Sequence, residues 1–414
     1  MRRALDGAFH SIIFLANVMK KSAFTTLLFF WGSLANAQSS VTLYGVVDEG
    51  LSYFSNSATG TEAGKPALRL VSGVPQQSRF GLRGIEDLGG GNQAVFLLEN
   101  GFDASTGKLG QGGLLFGKRA YVGIGGPFGT LTLGRQYDTN VDMVGPFEAA
   151  PQWAGGYIVA HPGDLDNLNN AVTTNQSIKF TSIDYHGLRG AVLVGLGGVA
   201  GDFSRNQVWS ASVGYTGGGL AAGAGYLHVD HPNVSFFGDV GNPAPTIGAI
   251  PGNNMTSPVY SGYASAHSLT VAAAGASYTI GAGAVSAVYS NTAFRWLGDL
   301  TAGPNPRNLH GEAVFNSIEI NTRYQFTPRL AAGAAYDYTK AAPTGTGSGA
   351  TYDQISAGVD YNISARTDFY LVGVFQRASG TDSTGKPAVA AINGPSPSAN
   401  DRQLIARIGM RHKF

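Results

Sequence analysis

Cysteine is absent from this 414-residue chain and charge is scarce, with Asp, Glu, Lys and Arg together making 13% of it. The first lack excludes disulfides, thiolate metal centres and thiol nucleophiles, and it suits an exported protein in which stray thiols would mispair. Soluble domains carry about 25% charge, so the second lack points to a surface where charge is costly, such as one facing lipid. A third lack is equally informative. Beyond Ala37 no apolar run approaches the ~20 residues of a membrane helix, and no window holds helical spacing for long. In their place stand 60 Gly, a mean hydropathy of +0.00, and apolar residues that recur at every second position.

The one long apolar stretch lies near the start, in MKKSAFTTLLFFWGSLANAQ from Met19 to Gln38. Lys20 and Lys21 form a positive n-region, the apolar run is too short to span a bilayer, and Ala35-Asn36-Ala37 makes a small-x-small cleavage site. Residues 1–37 read as a signal peptide with its start at Met19, and 38–414 as the exported body. Arg2, Arg3, Lys20 and Lys21 leave with the leader, against Asp6 alone; 23 basic and 25 acidic residues remain, a net charge of −2. A near-neutral exported chain offers no surface for nucleic acid.

Period-two alternation begins in VTLYGVVDEGLSY, where Val41, Leu43, Val47, Leu51 and Tyr53 share a parity. It recurs in GNQAVFLLENGF, QVWSASVGY, SLTVAAAGASY, GAVSAVYSN, SIEINTRYQF, QISAGVDY and FYLVGVFQ. Many of these segments end in Tyr or Phe, as an interfacial girdle would, and each is near the length of a tilted transmembrane strand. Short turns fall at 86–92, 125–129, 186–190, 216–219, 279–283, 327–330 and 362–367. Longer polar stretches alternate with them at 54–67, 103–113, 138–176, 198–206, 229–267, 293–315, 340–351 and 378–400. That alternation predicts an all-β fold, a sixteen-stranded antiparallel transmembrane barrel with both ends on the short-turn side; one missed hairpin would make it eighteen or fourteen. The chain closes on RQLIARIGMRHKF without a polar tail. A closed barrel explains this, because lipid offers no partner to a sheet edge and the last strand must pair with the first.

Four segments, SSVTLYGVVDEGL, QSRFGLRGIEDLGGGNQAVFLLENGF, GKRAYVGIGGPFGTLTLGRQYD and RIGMRHKF, resemble the Gram-negative general porins, in particular the trimeric porins of beta-proteobacteria. The resemblance implies a homotrimer among the lipid and lipopolysaccharide of the outer membrane, passing small hydrophilic solutes and ions by diffusion, with no cofactor. It implies that Phe414 is read by the outer-membrane assembly machinery. It also implies a third long loop, here 138–176, folded inward to face a basic ladder on the wall. Arg79 and Arg119 match that ladder and Arg83 keeps the parity of Arg79; Arg135 fits the family position but shares parity with Leu131 and Leu133, so the strand must bulge or end before it.

Across from this wall the loop offers Asp138, Asp142, Glu148, Asp164 and Asp166, and Glu99 lies on lumen parity beside the arginines. Guanidinium groups stay charged at any working pH, so a row of them in a narrow aqueous throat fixes a field that selects by size and sign. The alternative is that polar residues simply fill the wet face of any barrel. Arginines on rigid strands favour a slight anion preference over acids on a loop. Glu49 shares parity with Val47 and Leu51, which aims a carboxylate outward, where charge is expensive. Together with the outward His412 it is a candidate for a polar group buried at a subunit interface.

Enzymatic readings lack a foothold. No G-x-S-x-G motif accompanies a histidine, and GTGSGA at 345–350 opens no helix that could cradle phosphate. His228, Asp230 and His231 in HVDHP read as a solvated loop rather than a metal site. A substrate-specific channel or an adhesin on the same barrel remains the alternative, with Phe236, Phe237 and Tyr260 of the 229–267 stretch expected on an exposed loop.

Overall fold

The computed structural model describes residues 40–59, 62–153, 155–238 and 250–414. The signal-peptide reading of 1–37 lies outside the described residues. Seventeen strand segments follow one another: β1 (Ser40–Thr59), β2 (Glu62–Ser72), β3 (Arg79–Gly89), β4 (Asn92–Gly101), β5 (Arg119–Gly126), β6 (Gly129–Gln136), β7 (Thr174–Ser182), β8 (Leu188–Gly195) and β9 (Val208–Gly217). They continue as β10 (Leu220–Asp230), β11 (Ala266–Ile280), β12 (Gly283–Leu297), β13 (Gly311–Gln325), β14 (Leu330–Ala341), β15 (Ala350–Asn362), β16 (Thr367–Gly380) and β17 (Arg402–Lys413).

All join one antiparallel sheet that closes through β1 and β17. β2 and β3 both pair with β1 and are two halves of one wall strand, so sixteen strands circle the barrel. The seven short turns fall where alternation placed them. The first long stretch differs: β1 runs to Thr59 and β2 starts at Glu62, so most of 54–67 is a tall hairpin rather than a loop.

The break between β2 and β3 is organised by Asp48. Its backbone carbonyl accepts from Gly73 N (2.8 Å) and Ser78 Oγ (3.0 Å), and its carboxylate accepts from Gln76 N (3.0 Å). Gly73, with φ of 73°, and Pro75 make continuation of the ladder impossible at 73–78. The freed carbonyl of Val74 accepts from Tyr157 N of the third loop at 3.1 Å. The defect in the wall is thus a docking point.

Parity sorts the rest. Ile318, Ile320, Tyr336, Ile355 and Phe375 face outward and are exposed, while their neighbours Ser317, Glu319, Asp337, Gln354 and Gln376 are buried on the inner side. At the chain's end Leu404, Ile408, Met410 and Phe414 are exposed, whereas Gln403, Ile405 and Arg407 are buried. Phe414 exchanges backbone hydrogen bonds with Gly45 (3.0 and 3.1 Å), and its ring fills the space in which a Gly45 side chain would stand.

One expectation for the long loops is overturned. Phe236 and Tyr260 are buried, and with the partly buried Phe237 they belong to an apolar cluster that includes Phe294 and Phe315. Burying such rings gains more than exposing them, and they fold over the barrel mouth instead of standing clear as an adhesive loop. Tyr260 also donates to the carbonyl of Gly163 in the third loop, at 3.3 Å.

Candidate constriction

The third loop starts at a wall irregularity. The β6–β7 register shifts between Gly134 and Gln136, with Gly134 at φ 142°, as the parity of Arg135 requires. Asp138 then caps the short helix Thr139–Met143, accepting from Asn140 N (2.8 Å) and Val141 N (3.3 Å), and its other oxygen accepts from Asn167 Nδ2 at the loop's far end (2.8 Å). Inside the barrel the loop lies on side-chain-free wall. A Cβ at Gly223 would stand 2.0 Å from Met143 O, one at Gly275 2.9 Å from the Phe147 ring, and one at Gly333 2.5 Å from Trp153.

Inner-wall side chains then hold the loop backbone. Glu319 accepts from Ala149 N (2.8 Å), Asn321 donates to Phe147 O (2.8 Å), and Gln354 donates to Val159 O and Ala160 O (3.2 Å each). The loop is therefore folded into the lumen and pinned from both ends and the middle.

Opposite it, on β3 to β5, the arginines gather around one carboxylate. Glu99 receives Arg79 Nε at 3.3 Å, Arg119 Nη2 at 3.1 Å and Tyr44 OH at 2.7 Å. Glu99 is 1% exposed, while Arg79 and Arg119 remain 22% and 31% exposed, so the acid is covered and the cations face the water. Arg119 also lies over the Tyr137 ring at 5.1 Å, and the exposed Arg83 over Tyr44 at 5.6 Å. A space of about 680 Å³ runs between Arg79 and Lys118 on the wall and Trp153, Tyr157 and Asn170 on the loop. A second, of about 400 Å³, is lined by Arg119, Tyr137, Asp142, Lys179 and Arg189.

Most of the loop acids are elsewhere. Asp142 is exposed but ion-paired to Lys179. Asp138, Glu148, Asp164 and Asp166 are buried between loop and wall. There His161 Nδ1 lies 2.6 Å from Asp166 and 3.5 Å from Glu148, with Nε2 3.3 Å from Asp337. Burial opposes charge on His161, but the carboxylates of Asp166, Asp337 and Glu148 outweigh it and raise its pKa well above the ordinary value. Burial pushes Glu148 well above the carboxylate range, Asp138 up to about 6 and Asp164 up to about 7. These acids lie against the wall and hold the loop; of the four, Asp164 alone edges the larger space.

Arg135 also stands apart from the throat. It is 8% exposed and donates to Gly117 O (2.7 Å), Asn175 Oδ1 (2.5 Å) and Thr173 O (3.4 Å), tying the loop's return to the segment before β5. Glu49 is directed outward, where it accepts from Ser105 Oγ of the chain's own second loop at 2.8 Å, and the exposed His412 meets Thr367 Oγ1 at 2.9 Å. Sequence reasoning passed over Lys118, Lys179, Arg189 and His161. Lys179 was detectable, being flanked by the outward Ile178 and Phe180. Lys118 precedes its strand, where parity carries no information, and His161 acquires partners only through the folded loop.

The family model for Gram-negative porins matches residues 23–381. Outer membrane porin protein 32 of Delftia acidovorans is 28% identical over 96% of this chain and all of its own length. An outer membrane porin protein of Bordetella pertussis is 34% identical over 41% of this chain and 46% of its own. Among solved structures, an anion-selective porin from Comamonas acidovorans superposes with a TM-score of 0.68, at 21% identity, over 91% of this chain and all of that one. No helix among the described residues is long and apolar enough to cross a membrane, and the strands cross instead. A closed sixteen-strand barrel, its lumen narrowed by an inward loop, and the family match over most of its length agree: this chain belongs to the Gram-negative porin family.

Proposed function

We propose that the throat of this outer-membrane porin favours anions, and that it works as one of three identical pores in a homotrimer. The protein is a passive channel for small hydrophilic solutes and ions, not an enzyme. The observation that carries the anion reading is the asymmetry of the throat. Arg79 and Arg119, charged at any working pH, border its space on the wall side, whereas Glu99, the acid between them, is covered. Of the acids that edge the larger space, Asp360 is paired with Arg411 and Asp164 is 4% exposed. Of the five loop carboxylates, the exposed one, Asp142, is neutralised by Lys179. Fixed cations in a narrow, poorly screened passage raise the local concentration of anions. The anion selectivity named for the Comamonas acidovorans relative supports the same sign.

Trimeric assembly would bring the outward Glu49 and His412, both near the β1–β17 seam, against a neighbouring subunit. The terminal Phe414 would be the feature read by the assembly machinery, lipopolysaccharide would contact the outer face, and residues 1–37 would be the export signal. The test is the reversal potential of the refolded protein in a planar bilayer under a KCl gradient. Ohmic steps in sets of three and an anion-signed potential support the reading; a cation-signed potential would refute the throat assignment while leaving the pore intact.

A further inference from the structure

Where the fifth and sixth long loops leave the barrel, two histidines and an aspartate meet. His231 follows β10, His267 is the second residue of β11, and Asp299 follows β12. One nitrogen from each ring and a carboxylate oxygen all lie within 4.8 Å of one another. His267 Nδ1 stands 2.8 Å from Asp299 Oδ2 and His231 Nε2 3.6 Å from the same oxygen, and the two rings meet edge to face at 4.8 Å. The two histidines also share a backbone bond, His231 N donating to His267 O at 2.6 Å.

His231 is the unusual member. It holds φ at 48°, in the left-handed region, at a cost a β-carbon-bearing residue does not incur without compensation. Its side chain is only 7% exposed, yet Nδ1 is buried without a hydrogen-bond partner, and Nε2 is too far from Asp299 for one. A buried imidazole ordinarily satisfies at least one nitrogen. His267 and Asp299, by contrast, remain 43% and 21% exposed, so the cluster opens to water on that side. Two carboxylates, Asp299 and Asp230, and one cation, Arg205, also lie near His231.

We propose that His231, His267 and Asp299 form a binding site for a d-block divalent cation, with zinc the best match. Two neutral imidazoles and one carboxylate are a borderline-soft donor set that suits zinc, and three protein ligands with an open side leave a fourth position for water. Ligand atoms about 2 Å from a tetrahedral ion stand about 3.3 Å apart, and the open His267 side chain is free to close that gap. The ion would clasp both ends of the 231–265 loop to the start of the next one, and so fix the segment whose Phe236 and Tyr260 cover the barrel mouth. This assignment does not depend on the sign of the throat's selectivity.

The test is calorimetric titration of Zn²⁺ into the refolded full-length barrel carrying no affinity tag, with His267→Ala, Asp299→Asn and His231→Gln as variants and His228→Ala as the neighbouring control. The expected result is saturable binding of one Zn²⁺ per chain, weakened about 100-fold or more in each ligand variant and unchanged in the control. Unchanged conductance certifies that each variant is folded. Cu²⁺ gives a second readout through quenching of Trp296, whose ring lies 5.8 Å from that of His267. Absence of saturable Zn²⁺ binding by the wild-type protein would overturn the proposal. So would folded variants that bind as tightly as the wild type, since the ion would then sit elsewhere.

Discussion

Arg407 and Asp48, 359 residues apart in the chain, are joined by a 3.2 Å ion pair across the seam where β17 meets β1. Both are fully buried, and the guanidinium also donates to Tyr370 OH (2.7 Å), Ser52 Oγ (2.9 Å) and Gly50 O (3.1 Å). The same Asp48 organises the break between β2 and β3, so a single carboxylate serves both the closure of the barrel and the docking point of the third loop.

Removing one partner of such a pair leaves a buried charge uncompensated, which costs about 3–5 kcal/mol. Arg407→Ala should therefore lower unfolding stability by that order in detergent, measured by denaturant titration. Arg407→Met with Asp48→Asn should recover much of the loss. A single variant as stable as the wild type would show that water reaches the seam.

The throat predicts opposite shifts from neighbouring residues. Glu99→Gln releases Arg79 and Arg119 from their shared counter-ion and should strengthen anion selectivity, whereas Arg119→Glu should weaken or reverse it. A unit charge at 4 Å in water is worth about 1 kcal/mol, roughly a fivefold change in the anion-to-cation permeability ratio. Reversal potentials of the two variants under one KCl gradient check both directions. Arg135→Ala should leave the ratio near wild type, because that guanidinium is committed to Gly117 and Thr173 carbonyls.

Burial raises Asp138 to about 6 and Asp164 to about 7. A carboxyl with a raised folded-state pKa favours folding most at low pH, and that contribution is lost as pH climbs from the unfolded value near 4 through the folded one. The seat of the third loop should therefore tighten on acidification from pH 8 to pH 5. Thermal unfolding at the two pH values should show a higher Tm at pH 5. Asp164→Asn, which removes the titration but keeps an acceptor for only one of Asn169 N and Ala171 N, should shrink the difference while lowering Tm at both pH values.

Phe414 packs its ring against Gly45 and completes the ladder. If its larger importance is recognition during assembly, Phe414→Ala should reduce folded protein in the outer membrane several-fold while the refolded protein conducts normally. A proportionate loss in both assays would make the residue purely a strand end. Gly45→Val should instead disturb both, because its side chain would collide with that ring.

Strand number, membrane-facing parity and the short turns were legible from the chain itself, for a physical reason. Lipid forces every strand to alternate and every backbone group to pair, so local pattern and global closure carry the same information. That is why alternation alone marked SIEINTRYQF as a strand, and why the parity of Arg135, set against the family position it fits, demanded that the strand bulge or end before it. The family resemblance marked Arg79 and Arg119 and parity put Glu99 on the lumen side, though neither could say that the acid would be covered and the cations left wet.

What only the tertiary structure decided lies in the loops, where no period exists. Glu148 and Asp166 look from composition like the acidic side of a throat, yet folding the loop onto the wall glycines places them beside His161, out of the water. Phe236 and Tyr260 look like an exposed adhesive segment, yet the apolar interior of the barrel mouth takes them in. His231 and His267 stand at the two ends of one long loop and Asp299 at the start of the next, and they converge only because β10, β11 and β12 are neighbours in the closed sheet. Alternation is enforced residue by residue by the solvent on each side of the wall, whereas a loop's contacts depend on which distant surface it reaches.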